Sequence, residues 1–224
     1  MPLINTVVEL TVVAHKEDHL IVREADGTEY RFDPGREPYV ENETIRVRVD
    51  GMDRNLELGR KDQLLGVVVD SEMAPEKHVN EPIETVETGT WDPVRLYGPT
   101  AAADLFPKHA GKSFRSITFS FTKKLEDEDI EAINSASETL QQGNHDEAVD
   151  IISPIVGRIP WLLDLYHVLG VLAASHNRLE LARKYHEMAC KIAELSLPDS
   201  GDYVLDHREP ANSFYQSHLH SLAD

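Results

Sequence analysis

The residues that could carry chemistry in this chain are few, and most fail on spacing. Ala110-Gly111-Lys112-Ser113 contains the Gly-Lys-Ser of a phosphate-binding loop. That loop also needs a glycine at position 106, where the chain has Phe106, and it must follow a strand and open a helix. Here a short helix is expected before the segment and a strand after it, so the match is set aside. Of the 11 histidines, His207, His218 and His220 lie near the C-terminus. His218 and His220 are two apart and point in different directions on a helix. No cysteine or carboxylate spacing joins them into a metal site, so they are read as surface or packing residues and no metal is expected. The chain lacks a Gly-x-Ser-x-Gly elbow, a His-Glu-x-x-His helix and a dinucleotide fingerprint. The single cysteine, Cys190, falls among Tyr185, Met188, Ala189 and Ile192 at helical spacing, which marks a buried structural thiol. The residues therefore point away from an enzyme and imply no cofactor.

Charge narrows the partners. With 40 Asp and Glu against 22 Lys and Arg, the chain carries −18 at neutral pH. Such a surface repels nucleic acid and anionic membranes. Acidic pairs are too numerous here to signal a site. One stretch runs against the trend: between Asp92 and Lys124 lie two acids and six bases, namely Arg95, Lys108, Lys112, Arg115, Lys123 and Lys124. The simpler explanation is a basic strap docking on the acidic remainder of the chain. The alternative is a contact site for an acidic partner or a phosphate. No apolar run is long enough to span a membrane, and the Met-Pro-Leu-Ile-Asn start lacks the features of a secretory signal. A cytoplasmic setting is the expectation. The same acidity fits a salt-tolerant host and an acidic mesophilic protein equally well.

The elements that must position these residues show a repeat. Ala148 and Ala182 are 34 apart, the period of a helix–turn–helix solenoid unit. The second copy reads Tyr166-x-x-Leu169-Gly170-x-x-Ala173, followed by Ala182, His186 and Ala189. The first has Ser135-Ala136 at the Leu-Gly position and Thr139 at the second aromatic position, and keeps Ala148, Ile152 and Pro160. Over about residues 127–195 the chain resembles the tetratricopeptide repeat family. An ordinary four-helix pair of hairpins is the plainer reading. The resemblance implies that Gly170 and Ala182 are small because two helices cross closely there, and that His186 replaces a core aromatic. It also implies a concave groove that binds another protein or peptide. That groove would be lined by Ile130, Ile133, Ser137 and Leu140 in the first copy and by Asp164, His167, Val171 and Ala174 in the second. The lining lacks the Lys and Asn pattern that clamps a peptide's terminal carboxylate. Its mostly apolar character suits a helix, such as the chain's own C-terminal one.

Periodicity predicts helices at about 126–141, 145–158, 161–175 and 178–195. A last helix from near Glu209 to Leu222 would cap the end of the pair, placing Phe214, His218 and Leu222 on one face. Glu126 to Asp129 put negative charge where the first helix begins. Residues 3–70 read as β. Strands are expected around Val7–Val13, Leu20–Arg23, Glu29–Phe32 and Glu43–Val49, with turns at Ala25–Thr28 and at Asp50-Gly51. Leu64–Val69 is an apolar run suited to a buried strand. Residues 71–92 read as a linker, Ala101–Phe106 as a short helix capped by Thr100, and Ser113–Phe121 as a strand completing the N-terminal sheet.

The sequence thus predicts an α+β protein. Residues 1–70 form a small β-barrel or roll, 71–125 a connection with a short helix and an extra strand, and 126–224 a tetratricopeptide-like helical domain. The expected function is that of a non-catalytic adaptor or regulatory protein that binds another protein or a second copy of itself. The alternative is a nucleic-acid or ribonucleoprotein module using the β domain and the strip 95–124.

Overall fold

The computed structural model describes residues 5–16, 19–35, 37–53, 61–77, 79, 83–109, 111–120, 124–199, 201–205 and 209–223. The first five strands are β1 (Val7–His15), β2 (Leu20–Arg23), β3 (Glu29–Phe32), β4 (Thr44–Asp53) and β5 (Gln63–Glu72). They close into a barrel in the order β1-β2-β3-β5-β4. β3 and β5 pair in parallel and the other neighbours are antiparallel, a five-stranded Greek-key barrel. Leu10, Val12, Leu20, Val22, Phe32, Ile45, Val47 and Leu64 fill its interior. The turn at 25–28 forms as its Asp-Gly predicts, with the Asp26 carboxylate accepting from the Thr28 amide at 2.8 Å and Gly27 at φ 90°.

Two expectations for the barrel are corrected. Asp50-Gly51 is not a turn: β4 runs on to Asp53, and the irregularity is a bulge between Val49 and Gly51 opposite β5. Leu64–Val69 is not buried on both faces. Leu64 points inward, but Leu65, Val67 and Val69 are 44, 51 and 51% exposed on the outer face. An apolar run without alternation cannot report that one face of its strand is uncovered.

A second sheet follows. β6 (Glu84–Trp91), β7 (Phe114–Ser120) and β8 (Tyr203–Leu205) pair in that order. The strand expected at Ser113–Phe121 therefore does not complete the barrel, and the expected linker contains β6; Phe121 lies outside the described residues. β6 escaped notice because most of its side chains are exposed. Between β6 and β7 stand two short helices, α1 (Pro93–Tyr97) and α2 (Pro99–Leu105). Asp92, not Thr100, supplies a side-chain cap, accepting from the amides of Val94 and Arg95.

The helical part contains α3 (Asp127–Gln141), α4 (His145–Arg158), α5 (Leu163–Ser175), α6 (Leu179–Glu194) and α7 (Pro210–Ala223). The first four form two antiparallel hairpins, and α7 packs on α5 and α6. Their apolar faces build one core around Ile152, Val156, Tyr166, Leu169, Tyr185 and Met188. Buried Asp129, in the first turn of α3, pairs with Arg158 at the end of α4. Cys190 is buried as expected, and burial pushes its thiol up to about 12. On α7 the buried face carries Asn212, Tyr215 and His218, while Leu219 is exposed and Phe214 half-buried.

The barrel and helices share a polar seam. α4 lies against β1 so closely that a Cβ on Gly157 would fall 1.9 Å from the Val13 carbonyl oxygen. The loop before β4 enters the helical core. Asn42, held at φ 67°, donates from Nδ2 to the Val156 carbonyl (3.1 Å) and to the Tyr166 hydroxyl (3.0 Å). Buried Glu43 accepts from Lys184 Nζ at 2.7 Å. Pro154 interrupts α4 and cannot donate to the Asp150 carbonyl. Lys16 reaches across from the barrel and supplies the donor, at 3.1 Å to that carbonyl and 3.0 Å to the Asp150 carboxylate.

Candidate functional site

Three places gather groups that could react or bind. The first is the seam, where His15, Glu41 and Ser153 lie together. Their types suggest a nucleophile, a base and an orienting acid, but the geometry does not. Ser153 Oγ bonds the Glu41 carboxyl and accepts from the His15 backbone amide at 2.6 Å, not from the His15 ring. The ring's Nε2 instead faces Arg178 Nη2 at 3.4 Å. Burial lowers His15 to about 4, so its ring is neutral at pH 7, and burial raises Glu41. Ser153 and Glu41 are fully buried. The trio seals α4 onto β1. Outside this seal, clefts of about 450 and 280 Å³ share His15, Lys16, Arg178 and Leu181.

The second place is the outer face of the barrel. Leu65, Val67 and Val69 occupy alternate positions on β5, and Val7 of β1 stands across Arg48 from Val67 in the register. β4 pairs with β5 along its whole length, but β3 pairs only with Gln63 and Leu64. Among the described residues, no strand pairs with the second edge of residues 65–72. An apolar row therefore borders a strand edge with backbone donors and acceptors to offer.

The third is a cluster of histidines, one on each of α5, α6 and α7. His186 Nδ1 and His218 Nδ1 are 2.9 Å apart, and His218 Nε2 lies 3.1 Å from the Leu163 carbonyl. His167 stacks near both, with ring centroids at 5.7 and 5.6 Å. Nothing local in the sequence joins these three. They are 19 and 32 positions apart on different helices, a distance that only the tertiary fold closes. His220, the expected neighbour of His218, is exposed on the opposite side of α7, and His207 lies outside the described residues.

The expected groove is not one continuous lining. Ile133 and Leu140 pack into the helical core, His167 turns toward α7, and Ile130, Ser137, Asp164, Val171 and Ala174 are exposed. Although the Asp164 residue as a whole is exposed, partial desolvation of its carboxyl raises it to about 6. The described members of the basic strip stand on several elements around the second sheet. Arg95 sits on α1, Lys108 and Lys112 lie between α2 and β7, Arg115 is on β7, and Lys124 follows its far end. Lys123 lies outside the described residues. Trp91, Phe106 and Phe114 form a small aromatic cluster beneath the α1–α2 tip, which exposes Leu96, Tyr97 and Leu105. No helix among the described residues is long and apolar enough to cross a membrane. No protein-family model, curated protein or solved structure matches this chain.

Proposed function

We propose that the protein is a non-catalytic adaptor that binds an extended segment of another polypeptide on the open edge of β5. The carrying observation is the row Leu65, Val67 and Val69 beside that edge. Main-chain hydrogen bonds from an added strand would supply affinity, and the alternate apolar side chains would select the partner. Self-pairing is disfavoured by the −18 charge on each copy. In this reading the helices are a tetratricopeptide-like scaffold locked to the barrel. Gly170 supports the close crossing: a Cβ there would lie 2.7 Å from the His186 ring.

A nucleic-acid role has weaker support. Five-stranded Greek-key barrels of the oligonucleotide-binding type use the β2–β3 face. Here, of the cations on or beside that face, Arg23 and Lys61 are paired to Glu29 and Arg31 faces His19 Nδ1 at 3.4 Å, and the basic strip belongs to the second sheet and its α1–α2 insertion, not to the barrel.

The test uses Val67→Lys, an outward change that should leave stability within about 0.5 kcal/mol. Wild type and variant serve as parallel baits in extract of the native host. The expected result is a protein retained by the wild type alone, with slowed amide exchange in residues 65–71 of the complex. Capture indifferent to the substitution, or protection elsewhere, would overturn the proposal. Sedimentation showing a dimer that Val67→Lys dissociates would make a second copy the occupant.

A further inference from the structure

We infer that His167, His186 and His218 form a three-imidazole site for a borderline divalent cation of the zinc class, which clasps α7 onto the α5–α6 hairpin. Each residue offers one nitrogen, and the three lie within 4.8 Å of one another. A tetrahedral zinc with Zn–N bonds of about 2.0–2.1 Å requires its ligand nitrogens about 3.3 Å apart. The close His186–His218 pair must open slightly and His167 must close in, movements within the reach of χ rotations.

The hydrogen bonds already select the right lone pair on His218. His218 Nε2–H donates to the Leu163 carbonyl, so its Nδ1 carries the lone pair. This is the outer-shell bond that fixes the tautomer of a metal-binding histidine. Without an ion, His186 Nδ1–H donates to that lone pair. Cation binding would break this bond, with the His186 proton passing to its own Nε2 so that Nδ1 offers a lone pair to the ion. The His167 Nδ1 atom is buried and makes no hydrogen bond. A buried polar atom without a partner is costly, and an ion supplies the partner. His167 is half-buried, so its side leaves the fourth position to water.

The site has built-in controls. His145 and His176 form an unrelated pair of rings 5.6 Å apart near the surface, the kind of place that picks up ions adventitiously. His220 shares α7 with His218 but is exposed.

The experiment is calorimetric titration of the chelator-stripped full chain with Zn²⁺, repeated with Co²⁺ to read visible absorption. One ion per chain is expected, with a rise in melting temperature on addition. His167→Ala removes a ligand that makes no hydrogen bond, so the variant should fold. Its affinity should fall at least about tenfold. His145→Ala/His176→Ala and His220→Ala should bind as the wild type does. Nitrogen-15 spectra of the wild-type imidazoles give a second readout independent of any variant: the His186 and His218 Nδ1 signals should shift on zinc addition. Absence of binding at one equivalent would overturn the inference. So would unmoved Nδ1 signals, or binding kept by His167→Ala and lost by His145→Ala/His176→Ala.

Discussion

Replacing Gly157 by alanine sets two effects of opposite sign against each other. In an isolated helix the change stabilises by about 1 kcal/mol, because glycine pays more backbone entropy. In this fold the new methyl would stand 1.9 Å from the Val13 carbonyl oxygen, where real contacts stay beyond 3.0 Å. The obstacle is backbone in a paired strand, so the helix must retreat by about 1.1 Å. That retreat stretches the His15–Ser153 bond from 2.6 to about 3.7 Å and the Asn42–Val156 bond from 3.1 to about 4.2 Å, past hydrogen-bonding reach. The His15 amide keeps its second acceptor, the Glu41 carboxylate at 3.2 Å, but the Val156 carbonyl, to which Pro160 has no N–H to offer, is left unpaired at about 1–3 kcal/mol. Overpacking against the strand adds about 1–3 kcal/mol, so against a gain of about 1 the net loss is about 1–5 kcal/mol. Urea denaturation followed by circular dichroism measures it. The difference between Ser137→Gly and Ser137→Ala, at an exposed position on α3, reports the propensity effect alone. If Gly157→Ala is as stable as the wild type, α4 does not sit on β1 as described.

Gly170→Leu should drive a side chain into the His186 ring and destabilise by about 1–3 kcal/mol or more; an unchanged melting temperature would remove the close α5–α6 crossing. Removing α7 by ending the chain at residue 205 should uncover Phe119, His186 and Cys190, and light scattering should register self-association or aggregation. Acid should unfold the metal-free protein through its buried histidines. Their folded pKa values are depressed to about 4 from 6.5, so the stability they contribute is complete above 6.5 and lost as pH falls toward 4. A melting temperature flat between pH 7 and 4 would contradict this. Glu41 acts oppositely: its raised pKa costs stability as pH climbs above its unfolded value, so Glu41→Gln should gain on the wild type more at pH 8 than at pH 4.5.

The parts legible in the sequence were those written in local periodicity. The helix at 145–158 was read to the residue, because apolar spacing, an acidic first turn and Pro160 all mark it. The strands of the barrel followed from alternation and from the Asp-Gly turn. The second sheet was illegible because β6 exposes most of its residues and so shows no apolar period. Glu41, Asn42 and Glu43 read as a polar loop, yet all three are buried. Local composition cannot reveal burial when the compensating partners are Ser153, Val156 and Lys184, more than a hundred residues away. The histidine cluster was hidden for the same reason, its members being assigned one at a time to a groove, a core position and a capping helix.

The bond from Lys16 to the Asp150 carbonyl bears on how the chain is made. With Pro154 in its middle, α4 cannot complete its own backbone hydrogen bonding, and the missing donor belongs to a residue 134 positions earlier. On a ribosome that earlier residue emerges first. The finished barrel can then serve as a template on which a helix with an internal defect is repaired as it docks. A helical fragment expressed alone would lack that repair, and its α4 should fray around Pro154. Lys16→Met, which keeps the length of the stem but removes the donor, would slow the docking step while leaving the barrel's own assembly untouched. In stopped-flow refolding, Tyr166 and Tyr185 would report the delayed phase.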